Sequence, residues 1–202
     1  MKRIIIYGGS FDPPHRSHRQ IVQRLAASCD KLIVIPCGPR AKTSSATLTG
    51  AVHRKAMLEM AFGDLKGAEL DLFDLENETF TSTSDLDQRY RRLFPKAEIL
   101  HAVGADLVTG GKNATSEIQR WWHKGKEIWQ TLKFLVIARP GYSCSADDMP
   151  PHAQCMEITD LEGSGTLIRQ RIAEGLPVTE FLLPEVWEYI KEHRLYEYTP
   201  EG

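Results

Sequence analysis

The sequence predicts an α/β protein: a mostly parallel sheet, doubly wound, with helices on both faces. Two observations carry this. Short runs rich in Ile and Val alternate with helical periodicities along most of the chain, and those runs are apolar throughout, as in parallel strands covered on both faces. A chain of 202 residues, 42% hydrophobic and 26% charged, buries an ordinary core, and is expected to form one domain over 1–202 in which 160–202 is a C-terminal helical portion.

The alternation starts at once. Arg3 to Tyr7 and Lys31 to Ile35 read as strands, and between them Ile21, Val22, Leu25 and Ala26 share one face of a helix. Val52, Ala56, Met57, Met60 and Ala61 mark a second helix, and Leu70, Leu72 and Leu75 a strand-like stretch. Leu86, Tyr90 and Leu93 suggest a helix stopped by Pro95. A strand follows from Glu98 to Val103, then a helix from Ile118 to Trp129, then a strand from Lys133 to Ala138 closed by Pro140 and Gly141. Residues 36–50 and 139–155 read as loops. Met156 to Thr159 reads as a last strand, Thr166 to Ala173 as a helix stopped by Gly175 and Pro177, and a final helix begins at Pro184. In such a sheet, ligands bind outside the carboxyl ends of the strands, so the important residues should lie just after strands.

With 25 Lys and Arg against 27 Asp and Glu, the formal charge is -2, which gives no electrostatic reason to expect a nucleic-acid or membrane partner. The longest apolar runs are strand-sized, and the N-terminus enters a strand pattern without a signal-peptide core, so the expected location is the cytoplasm. Cys29, Cys37, Cys144 and Cys155 lie far apart without C-x-x-C pairing and are expected to be free thiols in a reducing compartment. The sequence leaves a homo-oligomer open.

The first strand runs into Gly8-Gly9-Ser10-Phe11-Asp12-Pro13-Pro14-His15-Arg16-Ser17-His18 and then into a helix. Two glycines let the backbone turn and approach a ligand closely, and a helix N-terminus offers N–H groups and a positive dipole end to an anion. His15 and His18, three apart, can lie on one side and bond adjacent phosphate oxygens. Spacing excludes the P-loop and the dinucleotide fingerprint, and the His pair has no evident third ligand for zinc. A second stretch, Ser164-Gly165-Thr166-Leu167-Ile168-Arg169, opens a late helix. There the hydroxyls of Ser164 and Thr166 can cap N–H groups or face phosphate, and Arg169 can fork onto phosphate oxygens.

These two stretches, in this order, resemble the signature of the nucleotidylyltransferase superfamily: a Gly-rich turn with His-x-Gly-His, and Ser-x-Thr-x-x-Arg. Ser17 stands where the family usually has Gly. The resemblance extends over nearly the whole chain to the bacterial-type nicotinate-nucleotide adenylyltransferases. It is carried by His53 to Ala61, Gly104-Ala105-Asp106-Leu107, Trp122 ahead of the strand ending in Ala138-Arg139-Pro140-Gly141-Tyr142, and Leu183-Pro184-Glu185-Val186 to Leu195-Tyr196. It implies a Rossmann-like nucleotidylyltransferase fold and transfer of the adenylyl group of ATP to nicotinate mononucleotide, with Mg²⁺ arriving on the ATP phosphates rather than on a protein metal site.

By the same resemblance, ATP would meet Gly8, Gly9, Ser10, Phe11, His15, His18, Gly104, Asp106, Ser164, Thr166 and Arg169, with Gly104 and Asp106 near the ribose. On its own residues, Asp106 reads equally as a helix cap. His18 and Arg169 would lead the chemistry, assisted by His15 and Lys42. Thr79-Phe80-Thr81 and Trp122 would surround the pyridine ring, with Arg139 on the acceptor side, the Thr81 hydroxyl donating to the acceptor carboxylate, and one of Trp121 and Trp122 in the core. The loop Cys37-Gly38-Pro39-Arg40-Ala41-Lys42 lacks the Pro-Pro-His frequent in the bacterial enzymes. Another acceptor, such as nicotinamide mononucleotide or phosphopantetheine, and a nucleotide sensor without turnover are the alternatives.

Overall fold

In the computed structural model, which describes residues 1–39, 48–138, 141–158 and 161–198, six strands form one sheet in the order β3-β2-β1-β4-β5-β6. They are β1 (Arg3–Gly9), β2 (Lys31–Pro36), β3 (Ala68–Leu70), β4 (Glu98–Gly104), β5 (Phe134–Ala138) and β6 (Ala153–Glu157), and every pairing is parallel. The sheet builds outward from β1 in both directions. This is the doubly wound order, and the crevice where its direction reverses lies between β1 and β4.

Among the described residues, eight α-helices wind it: α1 (Arg16–Ala26), α2 (Ala51–Phe62), α3 (Phe73–Glu76), α4 (Thr83–Leu93), α5 (Glu117–Trp121), α6 (Gly125–Thr131), α7 (Gly165–Ala173) and α8 (Pro184–Glu192). Strand alternation sorts the core by face. Ile5, Tyr7, Leu32, Val34 and Leu100 point to one side and meet Val22 and Leu25 of α1, Met57 and Leu58 of α2, Ile168 of α7 and Val186 of α8. Ile4, Ile6, Ile33 and Ile99 point to the other side and meet Leu86 and Tyr90 of α4. On that same side, Val103, Phe134 and Val136 meet Ile118 of α5 and Ile128 and Trp129 of α6. The C-terminal helices thus share a core with β1 and α1, which brings the second motif beside the first.

Four expectations are corrected. The strand-like stretch from Leu70 to Leu75 is a three-residue strand and then α3, because the Asp71 carboxylate accepts the Phe73 N–H at 3.1 Å and turns the chain. The helix expected from Ile118 to Trp129 is broken after Trp121: Lys124 is left-handed (φ 54°), and Gly125 lies so close to α5 that a Cβ there would be 2.0 Å from the Ile118 carbonyl oxygen. The last strand begins at Ala153 rather than Met156; its edge position leaves Gln154, Cys155 and Glu157 exposed, so no apolar run announces it. Finally, Cys144 and Cys155 form a disulfide, because folding brings two cysteines 11 residues apart to a Cα separation of 6.3 Å; Cys29 and Cys37 remain thiols.

Candidate active site

The first motif leaves β1 at Gly9 and enters α1 at Arg16. His15 is the extended residue that begins α1 (φ -137°, ψ 174°), His18 is in its first turn, and the two rings stack at 3.6 Å between centroids, 26° apart. The pair therefore presents two imidazoles from one side of the helix start. His15 is 4% exposed. Phe11 supports them from beneath: its ring meets His18 edge-on at 5.0 Å, packs on Tyr7 and Phe62, and is 1% exposed. Its side chain belongs to the core, so only its backbone is placed to meet a ligand. Phe11 is also left-handed (φ 46°), a conformation that a bulky residue adopts only when its surroundings hold it.

The turn is gripped from three directions. Arg54, buried in α2, donates Nη1 to the carbonyls of Ser10 (2.9 Å) and Cys37 (2.8 Å) and Nε to that of Thr49 (3.0 Å), so one guanidinium joins the ends of β1 and β2 to the start of α2. The buried Asp12 carboxylate accepts the Tyr196 hydroxyl at 2.6 Å and the Thr49 N–H at 3.1 Å. Arg169 donates Nη1 to the Asp12 carbonyl at 2.6 Å, with Nη2 3.4 Å from the Thr166 hydroxyl. Sequence reasoning missed Arg54, Asp12 and Tyr196. A charged residue inside an otherwise apolar helical face, as Arg54 is beside Met57 and Leu58, is the signal that marks such a residue.

The second motif sits against the first. Ser164 caps α7 by accepting the Leu167 N–H at 3.2 Å, so it serves the helix directly. Ser17, where the resemblance expects Gly, is buried. Its hydroxyl donates to the Glu162 carbonyl at 2.5 Å and accepts the Glu162 N–H at 3.0 Å, which ties α1 to the segment leading into α7. The Arg16 N–H at the start of α1 goes to the Phe181 carbonyl at 2.8 Å, so that donor is engaged within the protein rather than offered to an anion.

Across the crevice, β4 ends at Gly104 and a 3-10 turn follows over Ala105–Leu107. Asp106 lies inside that turn and does not cap it; its carboxylate folds back so that a Cβ on Gly104 would be 2.3 Å from Oδ1. Gly104 is thus the residue that admits this carboxylate to the strand end.

Thr81 is fixed by the buried Asp74: its N–H donates to Oδ2 at 2.7 Å and its hydroxyl to Oδ1 at 2.6 Å, while Thr79 donates to Oδ1 at 3.3 Å. The Thr81 hydroxyl therefore presents lone pairs to a ligand and not the proton expected of it. The Gly38 N–H donates to the Thr79 carbonyl at 3.0 Å and holds this loop to the end of β2. Of the two tryptophans, neither is buried. Trp122 is half-buried against the Val103 and Phe134 cluster, and Trp121 is 71% exposed, with the Arg120 guanidinium 5.2 Å from its ring; the fully enclosed indole is Trp129. Lys42 and Arg139 lie outside the described residues.

Among the described residues, no group of three or more His, Cys, Asp or Glu side chains is placed to hold a metal ion, and no helix is long and apolar enough to cross a membrane. Asp12, the carboxylate within the turn, has both oxygens engaged by Tyr196 and Thr49.

Comparison with known proteins identifies the family. The cytidylyltransferase-like family model matches residues 6–171. A probable nicotinate-nucleotide adenylyltransferase of Bacillus pumilus is 32% identical over 98% of this chain and 100% of its own length. The nicotinate-nucleotide adenylyltransferase of Bacillus subtilis is 30% identical over the same shares. Among solved structures, the nicotinic acid mononucleotide adenylyltransferase of Plasmodium falciparum complexed with NaAD superposes with a TM-score of 0.81, covering 100% of both chains at 23% identity, a likeness of fold. The chain belongs to the cytidylyltransferase-like family and, within it, to the nicotinate-nucleotide adenylyltransferases.

Proposed function

We propose that this chain transfers the adenylyl group of ATP to nicotinate mononucleotide, giving the deamido-NAD dinucleotide and pyrophosphate. The observation that carries the reading is the stacked pair His15 and His18 at the start of α1, together with Arg169 bonded to the Asp12 carbonyl in the turn that leads into that helix. A phosphate oxygen of the acceptor attacks the α-phosphorus of ATP in line, the bond from that phosphorus to the α,β-bridging oxygen breaks, and pyrophosphate leaves with the electron pair. A phosphate monoester is already nucleophilic, so the protein aligns two anions and neutralises charge developing on the bridging and leaving oxygens. His18 and Arg169 do this most directly, with His15 beside them and Lys42 assisting.

The divalent cation travels with the ATP phosphates. Gly8, Gly9 and Ser10 supply the backbone surface against the nucleotide, Gly104 and Asp106 meet the ribose across the crevice, and Thr166 helps orient Arg169. On the acceptor side, Trp122 and the exposed Trp121 offer indole faces for the pyridine ring, and Arg139 serves as a cation for the acceptor. Because Thr81 gives both its protons to Asp74, selection of a carboxylate falls to other backbone N–H donors near the start of α4 and the end of β4. Incubating the protein with ATP, magnesium and nicotinate mononucleotide and weighing the product by mass spectrometry tests this. A dinucleotide that appears with stoichiometric pyrophosphate supports it, and pyrophosphate release without the acceptor contradicts it.

A further inference from the structure

The C-terminal segment reaches back across the molecule into the adenylyl-transfer motif. After α8, Arg194, Tyr196 and Glu197 all take left-handed backbone conformations (φ 49°, 59° and 61°), which bulky L residues rarely adopt, and together they swing the Tyr196 ring inward. Its hydroxyl donates to Asp12 Oδ1 at 2.6 Å, a contact between residues 184 positions apart in the chain. Asp12 is 2% exposed, and its other oxygen accepts the Thr49 N–H at 3.1 Å. Neither of these two donors is a cation, yet a guanidinium lies next door: Arg169 donates to the carbonyl of the same Asp12 at 2.6 Å.

That juxtaposition has a consequence. A buried carboxylate attracts a guanidinium far more strongly than a carbonyl does, and a forked carboxylate contact would consume the N–H groups that Arg169 has for phosphate. Each oxygen of that carboxylate already has a donor, Tyr196 on Oδ1 and Thr49 on Oδ2, while Arg169 bonds the carbonyl. Burial and the neighbouring Asp12 push the Tyr196 phenol well above its ordinary pKa, which keeps the proton on the phenol at all working pH values.

We propose that Tyr196 is a positioning residue for adenylyl transfer: by occupying the Asp12 carboxylate, it holds Arg169 on the Asp12 carbonyl with its fork turned to phosphate. The inference rests on the proposed reaction only for its kinetic test. Losing the hydroxyl frees Oδ1, and Asp12 then draws Arg169 off the phosphate.

The test uses Tyr196→Phe, which keeps the ring and removes only the donor, and the double variant Tyr196→Phe with Asp12→Asn, in which a neutral amide has little pull on Arg169. In the single variant kcat falls about tenfold or more, the KM for acceptor stays within about twofold, and affinity for magnesium pyrophosphate, titrated by calorimetry without any turnover, falls about tenfold. The double variant regains most of that affinity and part of kcat. A merely structural hydroxyl would lower thermal stability in both variants and give no recovery. Unchanged pyrophosphate affinity in Tyr196→Phe, or a double variant no better than the single one, overturns the proposal. A wild-type chain that binds pyrophosphate but transfers no adenylyl group would overturn the proposed reaction instead, leaving the titration to decide the role of Tyr196.

Discussion

On the β1 side of the crevice, buried side chains grip backbone atoms: Arg54 holds three carbonyls, Arg169 a fourth, and Asp12 an N–H. On the acceptor side, the loop from Thr79 to Thr81 is held by the Asp74 carboxylate and by the Gly38 N–H at the end of β2, and its aromatic residue Phe80 stands 46% exposed against 1% for Phe11 in the first turn. A reaction that stabilises fleeting charge needs donors fixed before the charge develops, and a backbone clamped at several points provides that. Recognition of a flat ring needs area and a few well-placed donors, which a less constrained loop supplies. Damage to the first side should therefore appear in turnover, and damage to the second in acceptor affinity.

The contrast is sharpest at His18. His18→Ala should lower kcat on the order of 10²-fold at saturating substrates, with a smaller change in ATP affinity; near-normal kcat would remove His18 from the chemistry. Arg169→Lys should lose about tenfold or more in kcat although charge is kept, because an ammonium cannot bond the Asp12 carbonyl and fork onto phosphate together. Steady-state kinetics with magnesium in excess measures both.

Asp74→Asn addresses the other side. An amide in place of the carboxylate turns an NH₂ toward one of the Thr81 donors, so the loop loosens and the acceptor KM should rise about tenfold, while the KM for ATP stays put. Equal effects on the two substrates would show that the sides are not separable.

The smallest expected effect lies beneath the acceptor side. Burial raises the Asp87 carboxyl, but bonds from His101 at 3.1 Å and Arg91 at 2.6 Å outweigh it, and its pKa lies below the ordinary carboxylate value. A depressed folded-state pKa contributes stability above the unfolded value, about 4, and loses it as pH falls through the folded value. The stability gap between wild type and Asp87→Asn in urea titrations should be full near pH 7 and close in acid; a gap independent of pH would mean that the pair is held by packing alone.

Much of this fold was legible because parallel strands covered on both faces are written as contiguous apolar runs, and β1, β2, β4 and β5 are such runs. The edge strands were not: β3 has three residues and β6 exposes Gln154, Cys155 and Glu157, so neither leaves a run. The site divides similarly. His15, His18 and Arg169 stand in local motifs whose spacing reports a helix start. The clamps formed by Arg54, Asp12 and Tyr196 depend on contacts 44, 157 and 184 residues apart, and no local pattern encodes them. The Thr81 hydroxyl shows the same limit. Its residue type suits a donor to the acceptor, and only the position of Asp74 reveals where its proton goes. The Cys144–Cys155 bond likewise follows from where β6 lies and not from cysteine spacing.

The central claim is that one crevice joins ATP to an acceptor bearing a pyridine carboxylate, and competition between two acceptors tests it most directly. The two mononucleotides share ring, ribose and phosphate, so any preference isolates the pocket around the carboxylate or amide. Measured as kcat/KM from pyrophosphate release, nicotinate mononucleotide should exceed nicotinamide mononucleotide by about 10²-fold or more, since donors that suit a carboxylate meet the amide NH₂ head on. Equal values, or a preference for the amide, would contradict the acceptor assignment.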